Sequence, residues 1–379
     1  MRSERHKHAV ATFRLMIAFS VVTVFTPAIW AQISTQGPQQ DQNVPHEPLT
    51  RKGRVLNPED ASKALLAAFN RYEVVAMGAG HGNKDLDDFI LRLVRDPAFP
   101  GQVNDVVVEC GNSLYQPILD RYIAGGDVPL SEVRPVWRNT TQSMCSVSGF
   151  YETLFPLLRR INQKLAPERR LRVLAGDPPV EWSQVKGKSD VALDRDANIA
   201  AVMKREVLSK HRKALMLFGT FHLFHTNSTA PAGLESAVQR YEKDYPRVTF
   251  VIGDAVVFTD PGGSVDDGWQ ERMASWPFPA LVQDIQGTWL GNVDKNYFSK
   301  MVDAYLYLGP GDLMLVEPRS AEVFSNKEYM AELRRRAAII GDTLTSDQTN
   351  PDKLSDQYFS PFLYNRADAP AAKVIYQTR

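Results

Sequence analysis

Short apolar runs alternate with amphipathic stretches along the middle of the chain. Five such runs stand at 74–77, 106–108, 171–175, 214–218 and 248–252. After the first run, Leu86, Phe89 and Leu93 recur at the spacing of one helix face. Continuous apolar runs that alternate with helices are typical of parallel strands covered on both faces. The pattern therefore predicts an α/β fold with a largely parallel sheet, helices on both faces, and a helical or irregular cap.

The same pattern sets the bounds of the expected domain, which spans 57–342. Its first helix is expected to begin with Asn57 as the cap and Pro58 at the first helical position. Residues 125–165 and 260–300 interrupt the alternation with tryptophans and prolines. We expect these two segments to be insertions that form the cap over one end of the sheet.

Three further elements follow from the pattern. A helix is expected at about 190–209, a late strand at 303–308 and a charged helix at 321–340. The run Arg334-Arg335-Arg336 in the last helix is interpreted as a solvated helix face.

The two ends of the chain differ from this domain. Basic residues followed by the apolar stretch from Leu15 to Trp30 predict a signal peptide over 1–31. Residues 32–56 are rich in Gln, Pro and Asn and are expected to form a flexible linker, and 343–379 a polar C-terminal extension. No other stretch approaches the length of about 18 apolar residues that a membrane span needs. We therefore expect an exported protein, periplasmic or secreted, without a stable membrane span after signal cleavage.

Composition narrows the classes of partner. The 44 basic residues balance the 44 acidic ones, which argues against nucleic acid as a partner. The chain has only two cysteines, Cys110 and Cys145, which excludes a disulfide-dense scaffold and a multi-cysteine metal cage. In an exported protein the two cysteines can pair, and a buried free thiol at Cys110 is an equally good interpretation.

Candidate chemistry stands at the downstream end of each expected strand. The ends carry Gly78-Ala79-Gly80-His81, Glu109, Asp177, Gly219-Thr220-Phe221-His222 and Asp254. In open α/β sheets, ligands bind outside the carboxyl ends of the strands, so side chains from these ends converge. We therefore predict an active site built from His81, Glu109, Asp177 and His222. The structural alternative is that the glycines make tight turns and the ionisable residues cap the following helices.

The two Gly-x-x-His motifs also carry a resemblance to a known superfamily. Together with Val106-Val107-Val108-Glu109 and Leu215–Phe218, they resemble the superfamily that contains erythromycin esterases, Tiki and TraB-type proteins and ChaN-type haem-uptake proteins. The segment Tyr115–Asp120 is similar to the part of such proteins that follows the glutamate strand. One departure is Ala79, which stands where esterase-like and ChaN-like members carry an acid.

The resemblance implies a hydrolase. For Tiki-like members it implies a metal-dependent enzyme, with His81, Glu109 and His222 in the metal site. For esterase-like members it implies water activation by a histidine with acidic help.

The residue types agree with either version of this chemistry. Two imidazoles and a carboxylate suit a divalent metal such as zinc or manganese, with Asp177 as base or orienting group. The activated water would attack an ester or amide of a small-molecule or peptide substrate. Without a metal, His81 would serve as general base with Glu109 orienting it.

A binding protein is the competing interpretation. The same strand ends, capped by Trp137, Trp182 or Trp289, would suit haem or another flat apolar ligand. A catalytically inactive relative is the third alternative.

Overall fold

The computed structural model describes residues 58–79, 82–226, 235–253, 273, 275–285, 288, 298–309 and 321–341. The expected signal peptide, linker and C-terminal extension lie outside the described residues, as do His81, Asp254 and Trp289.

The described residues form a sheet of eight strands. Their bounds are Glu59–Asp60 (β1), Val74–Gly78 (β2), Asp105–Asn112 (β3), Arg172–Asp177 (β4), Ala214–Phe218 (β5), Thr249–Gly253 (β6), Ala280–Gln283 (β7) and Ala304–Tyr307 (β8). The strand order is β1-β7-β8-β6-β2-β5-β3-β4. Every neighbouring pair is parallel except the two that involve β7, which runs antiparallel to β1 and β8.

Thirteen α-helical segments accompany the sheet in the described part of the chain. They are Ala61–Ala68 (α1), Lys84–Arg95 (α2), Phe99–Gln102 (α3), Gln116–Ile123 (α4), Leu130–Val133 (α5), Pro135–Arg138 (α6), Ser143–Val147 (α7), Phe150–Asn162 (α8), Arg195–Val202 (α9), Ala237–Glu242 (α10), Phe298–Met301 (α11), Ala321–Ser325 (α12) and Lys327–Ile340 (α13). Helix α9 continues through a π-helical turn at Met203–Val207 and a 3₁₀ turn at Leu208–Lys210. None of the helices in these ranges has the length and apolarity required to cross a bilayer.

Helices cover both faces of the sheet, because alternate residues of each strand point to opposite sides. On one face, Val108 and Leu217 join a buried cluster with residues of α1, α2 and α8. On the other face, Val107 and Met216 join a second cluster with residues of α9 and α10. The predicted α/β class with a largely parallel sheet is therefore confirmed.

Part of the expected cap belongs to this layered core instead. Helix α8 lies within 125–165, and its Leu154, Phe155 and Leu158 are fully buried in the cluster on the first face. The second expected insertion, 260–300, contributes β7 to the sheet. Its sequence signal is weak because a short apolar run follows directly after Pro277 and Pro279.

The start of the domain also differs from the prediction. Helix α1 begins at Ala61, and its N-cap is Asp60, whose side chain accepts a hydrogen bond from the Lys63 amide at 2.9 Å. Pro58 stands outside the helix, because Glu59 and Asp60 pair with β7. The proposed capping role of Asn57 concerns a residue outside the described part.

The two cysteines form a disulfide, which settles the alternative that the sequence left open. Cys110 lies on β3 with its side chain in the first-face cluster, and Cys145 lies on α7. The bridge thus ties the end of β3 to the segment that precedes α8.

The interpretation of Arg334-Arg335-Arg336 as a solvated face was wrong for its last member. Arg336 is buried, and its guanidinium lies 4.9 Å from the centre of the Trp182 ring. It also donates to the Arg138 carbonyl at 2.9 Å and to Asn139 Oδ1 at 2.8 Å. Helix α13 is therefore docked on the segment that follows α6.

Candidate active site

Three of the four predicted site residues meet at the carboxyl edge of the sheet. Glu109 comes from β3, Asp177 ends β4, and His222 follows β5 on a short 3₁₀ turn. Because β5, β3 and β4 are neighbours in the sheet, their ends lie side by side. Glu109 Oε1 and His222 Nε2 are 3.6 Å apart.

The fourth predicted residue, His81, lies outside the described part of the chain. Its motif nevertheless begins at a described residue, Gly78, which pairs with Phe218 of the neighbouring β5. The second motif begins at the next residue, Gly219. The two Gly-x-x-His motifs therefore start at almost the same level of two adjacent strands.

An arginine that the sequence analysis missed connects the three described residues. Arg195 Nε donates to Asp177 Oδ1 at 2.6 Å, and Nη2 donates to Glu109 Oε1 at 2.8 Å. Its Nη1 lies 3.2 Å from His222 Nε2. Burial lowers the pKa of Arg195, but the charges of Asp177 and Glu109 outweigh it and raise the pKa above its ordinary value. The guanidinium therefore stays charged at the centre of the site.

Glu109 is held through both carboxylate oxygens. Oε1 accepts the Arg195 hydrogen bond, and Oε2 accepts one from the backbone N–H of Gly219. Glu109 is 3% exposed, so the charge of its carboxylate is compensated within the protein rather than by solvent. Glu109 thus joins β3, α9 and the turn that carries His222.

His222 is oriented by a second acid, Asp196. The His222 Nδ1 atom lies 2.8 Å from Asp196 Oδ1, which also accepts a hydrogen bond from the Ala237 amide at 2.8 Å. A carboxylate at Nδ1 fixes the proton on that nitrogen and turns Nε2 toward Arg195 and Glu109. Burial lowers the pKa of His222, but the hydrogen bonds with Asp196 and Glu109 outweigh it and raise the pKa to about 9.

Asp177 pairs with Arg195 at the end of β4. Burial raises its pKa to about 6, against the opposing charge of Arg195. Its Oδ1 accepts from Arg195, whereas its buried Oδ2 has no hydrogen-bond partner among the described residues. Asp177 therefore orients the guanidinium and, when protonated, relieves the excess negative charge of the cluster.

Arg195 and Asp196 gave little signal in the sequence. Both stand in the first turn of α9, directly after its N-cap Asp194. An acid in the first turn of a helix is ordinary capping chemistry, so Asp196 could not be distinguished from a helix-stabilising residue. The same holds for Asp85 and Asp87, two buried acids in the first turn of α2, which follows the first motif.

Two of the three candidate metal ligands, Glu109 and His222, lie against Arg195, and the third, His81, is outside the described residues. Glu109 Oε1 and His222 Nε2 would have to face the ion, and both face the Arg195 guanidinium at 2.8 and 3.2 Å. A permanently charged group at hydrogen-bond distance from both ligand atoms opposes a second cation there. No group of three or more potential metal-ligating side chains converges within the described ranges.

Trp137 and Trp182, the two described tryptophans considered for a haem pocket, make other contacts. Trp137 is fully buried and packs edge-to-face against Phe155 at 5.5 Å between ring centres. Trp182 carries Arg336 on its ring and donates from Nε1 to the Asn139 carbonyl at 3.0 Å. Neither ring lines an open surface.

The most exposed large apolar side chains of the described residues lie on loops at the same edge of the sheet. They are Leu114 after β3, Leu193 before α9, and Phe221 next to His222. The carboxyl edge therefore presents apolar side chains around a buried charged centre.

Comparisons with known proteins leave the family open. No protein-family model matches the sequence, and a search of curated proteins found no match. Among solved structures, the chain is similar to a Bacillus cereus protein, with 13% identity, a TM-score of 0.34 and coverage of 51% of this chain and 68% of that one. For a protein described as a succinoglycan biosynthesis protein, the identity is 11%, the TM-score 0.36 and the coverage 52% and 72%. For the type III effector HopBA1, the values are 15%, 0.33, 55% and 89%. Similarity at this level assigns no activity to the chain.

Proposed function

We propose that this protein hydrolyses an ester or amide bond of a small-molecule or peptide substrate, with His222 as a proton-transfer residue and Arg195 as the oxyanion-stabilising group. The observation that carries the proposal is the chain of contacts from Asp196 through His222 to Arg195, at 2.8 and 3.2 Å. A carboxylate–imidazole pair can supply proton transfer, and a fixed positive charge can stabilise an oxyanion, and both contribute to acyl transfer.

The residues divide the reaction as follows. Attack of water on the carbonyl carbon places negative charge on the carbonyl oxygen, which Arg195 stabilises. Two of the guanidinium N–H groups donate to Asp177 and Glu109, so others are available to a substrate oxygen. When the intermediate collapses, the bond to the leaving group breaks, and His222 Nε2 supplies its proton. The water proton passes to a base, for which the sequence motif offers His81.

His222 suits the acid role because its pKa of about 9 keeps it protonated at neutral pH. We therefore expect kcat/KM to fall as the pH rises through about 9. Glu109 and Asp177 act indirectly in this scheme, because they fix the position of Arg195. Metal-dependent hydrolysis is the alternative mechanism, and activity with and without EDTA distinguishes the two mechanisms.

We further propose that the protein is exported. The basic and apolar pattern of 1–31 supports this, and so does the disulfide between Cys110 and Cys145, because such bridges persist in oxidising compartments.

The test uses the purified full chain with a panel of generic esters and amides, with and without EDTA. We expect turnover that survives EDTA and falls by about 100-fold or more in His222→Gln. Asp196→Asn is expected to lower kcat in the same direction, because the carboxylate no longer supports the imidazolium.

His211→Gln is the matched control, since His211 has an 82% exposed side chain and lies before β5, away from the carboxyl edge. Absence of turnover in the wild type, or full activity in His222→Gln, would refute the proposal. Loss in EDTA that zinc or manganese restores would instead support the metal-dependent version.

A further inference from the structure

A second histidine, His225, closes the loop that carries His222. We call residues 219–226 the histidine loop. It is attached at its start through the Gly219 amide to Glu109 and in its middle through His222 to Asp196. Three residues later, the backbone N–H of His225 donates to the Met301 carbonyl at 3.1 Å.

The ring of His225 lies between two carboxylates. Nδ1 is 3.0 Å from Glu242 Oε2, and Nε2 is 2.9 Å from Asp303 Oδ2. A neutral imidazole has one N–H and can donate to only one of them. Between two ionised carboxylates, both short contacts are hydrogen bonds only if His225 is an imidazolium.

The two acids are themselves fixed to the sheet. Glu242, at the end of α10, accepts from the Thr249 amide at 3.2 Å, and Asp303, directly before β8, accepts from the Val251 amide at 2.7 Å. Both amides belong to β6. The imidazolium therefore attaches the histidine loop to α10, β6 and the start of β8 at once.

The far end of α10 also reaches the site. The Ala237 amide donates to Asp196, and Ser236 Oγ donates to the Phe224 carbonyl of the histidine loop at 2.7 Å. Helix α10 thus contacts the surroundings of His222 at its N-terminus and His225 at its C-terminus. Only six residues of helix separate the two groups of contacts.

We infer that His225 is a positioning residue, which as an imidazolium between Glu242 and Asp303 holds the histidine loop so that His222 stays on Asp196 and Arg195. The effect of His225 on catalysis rests on the function proposed for His222. Neutralisation of His225 removes one of its two hydrogen bonds and loosens the loop.

The electrostatic surroundings agree with this role. Burial lowers the pKa of His225, but its hydrogen bonds with Asp303 and Glu242 outweigh it and raise the pKa to about 9. Glu242 faces the ring from α10 and Asp303 from the segment before β8, and both are acidic. The loop is therefore expected to hold at neutral pH and to loosen in alkaline solution.

The experiment follows the imidazole signals of the full chain by NMR, with histidines labelled with ¹⁵N. In the wild type at neutral pH, we expect both ring nitrogens of His225 to be protonated and a hydrogen-bonded Nδ1 proton on His222. In His225→Gln the His222 Nδ1 proton signal is expected to be lost or strongly broadened, and kcat to fall about tenfold with KM little changed. His211→Gln, the exposed control, is expected to leave the His222 Nδ1 signal and kcat unchanged.

A second variant decides the matter if His225→Gln does not fold. Glu242→Gln keeps a hydrogen-bond acceptor but removes one charge, so the pKa of His225 is expected to fall by about one unit. The pH at which the His222 Nδ1 signal is lost should then be lower than in the wild type by the same amount.

An unchanged His222 signal in a folded His225→Gln, or an unchanged alkaline transition in Glu242→Gln, would overturn the inference. Because this signal does not require turnover, it tests the position of His222 even if the wild type hydrolyses none of the substrates and the proposed function fails.

Discussion

At the scale of single residues, Arg195 is the side chain at the centre of the proposed site. It is the one described side chain that contacts Glu109, Asp177 and His222 together. Its guanidinium places a cation of the chain itself beside two of the candidate metal ligands, Glu109 and His222. The planar guanidinium is suited to this, because its donors point in fixed directions toward several acceptors.

Arg195→Lys keeps the positive charge but loses the fork of donors. A lysine ammonium cannot reach Glu109, Asp177 and the oxyanion position together, so we expect kcat to fall by about 100-fold or more. Steady-state kinetics on the best ester of the panel measure this. Arg92→Lys on the exposed side of α2 is the matched control and should retain full activity. Equal kinetics in the two variants would exclude Arg195 from the reaction.

Asp177 gives the free energy of unfolding a specific dependence on pH. Its pKa is raised from 3.8 to about 6 in the folded protein, so the folded state binds this proton more tightly than the unfolded chain does. The resulting stabilisation is complete below the unfolded pKa and is lost as the pH rises through about 6. Urea unfolding should show that the stability difference between wild type and Asp177→Asn shifts by up to about 3 kcal/mol across this window. Parallel pH curves would contradict this assignment.

The site residues that directly follow a predicted strand could be identified from the sequence. Glu109, Asp177 and His222 each follow an apolar run, so their convergence could be predicted from parallel strand order. Arg195 and Asp196 could not, because they enter from the first turn of a helix, where charged residues are common for reasons of capping. Their role depends on a contact across three strands that no local pattern records.

At the scale of elements, the disulfide and the site share one strand. Glu109 and Cys110 are neighbours on β3 and point to opposite faces, toward α9 and toward the α8 layer. The bridge to Cys145 closes a loop with a sequence separation of 35 and fixes the strand from the side opposite the site.

Removal of this bridge should lower stability by a predictable amount. For a closed loop of this length, chain entropy alone gives about 4 kcal/mol. We expect the double variant Cys110→Ala/Cys145→Ala to show this loss in denaturant unfolding and to be insensitive to dithiothreitol. Wild-type protein should fall to the same stability on reduction, and a wild type that reduction does not destabilise would contradict the pairing.

Arg336 is one of the residues that anchor helix α13, together with Tyr329 and Arg335. Arg336→Ala removes the contact with the Trp182 ring and the hydrogen bonds to the Arg138 carbonyl and Asn139, at an expected cost of about 2–3 kcal/mol. The exposed Arg334→Ala is the matched control, for which we expect a change within about 0.5 kcal/mol. Thermal unfolding of the two variants measures the contrast, and equal effects would show that α13 is not anchored at Arg336.

Elements with a long periodic signal were predicted better than short ones. The bounds of β5 agree with its apolar run at 214–218, and α2 covers the predicted helical face. Strand β7 was missed because prolines precede it and it has only four residues. The start of α1 was misplaced because a capping pattern at Asn57 competes with another at Asp60, and pairing with β7 decides between them.

At the scale of the whole molecule, the sheet carries charged clusters at both of its edges. At the amino edge, the fully buried Asp105 of β3 accepts two hydrogen bonds from Arg172 and two from Arg212. This cluster contains no histidine and resembles the carboxyl-edge site only in its pairing of acid with arginine. We interpret it as structural.

The Asp105→Asn variant tests whether the cluster at the amino edge influences the site at the carboxyl edge. The substitution removes the carboxylate that pairs with the partly exposed Arg172 and Arg212, of which Arg172 keeps Glu206 as a partner. We expect a loss of about 1–3 kcal/mol in the free energy of unfolding. Once folded, the variant should keep the wild-type kcat, because Asp105 lies at the opposite end of the strand from Glu109. A reduced kcat at unchanged KM in folded protein would mean that the two edges are coupled.

The pairing of β1 with β7 has a consequence for the order of assembly. Glu59 pairs with Leu281, a residue more than two hundred positions later in the chain. During synthesis, β1 therefore cannot pair with β7 until most of the domain has emerged from the ribosome. Contacts so distant in sequence are slow to form, so we expect the pairing of β1 with β7 to be among the last steps of sheet formation.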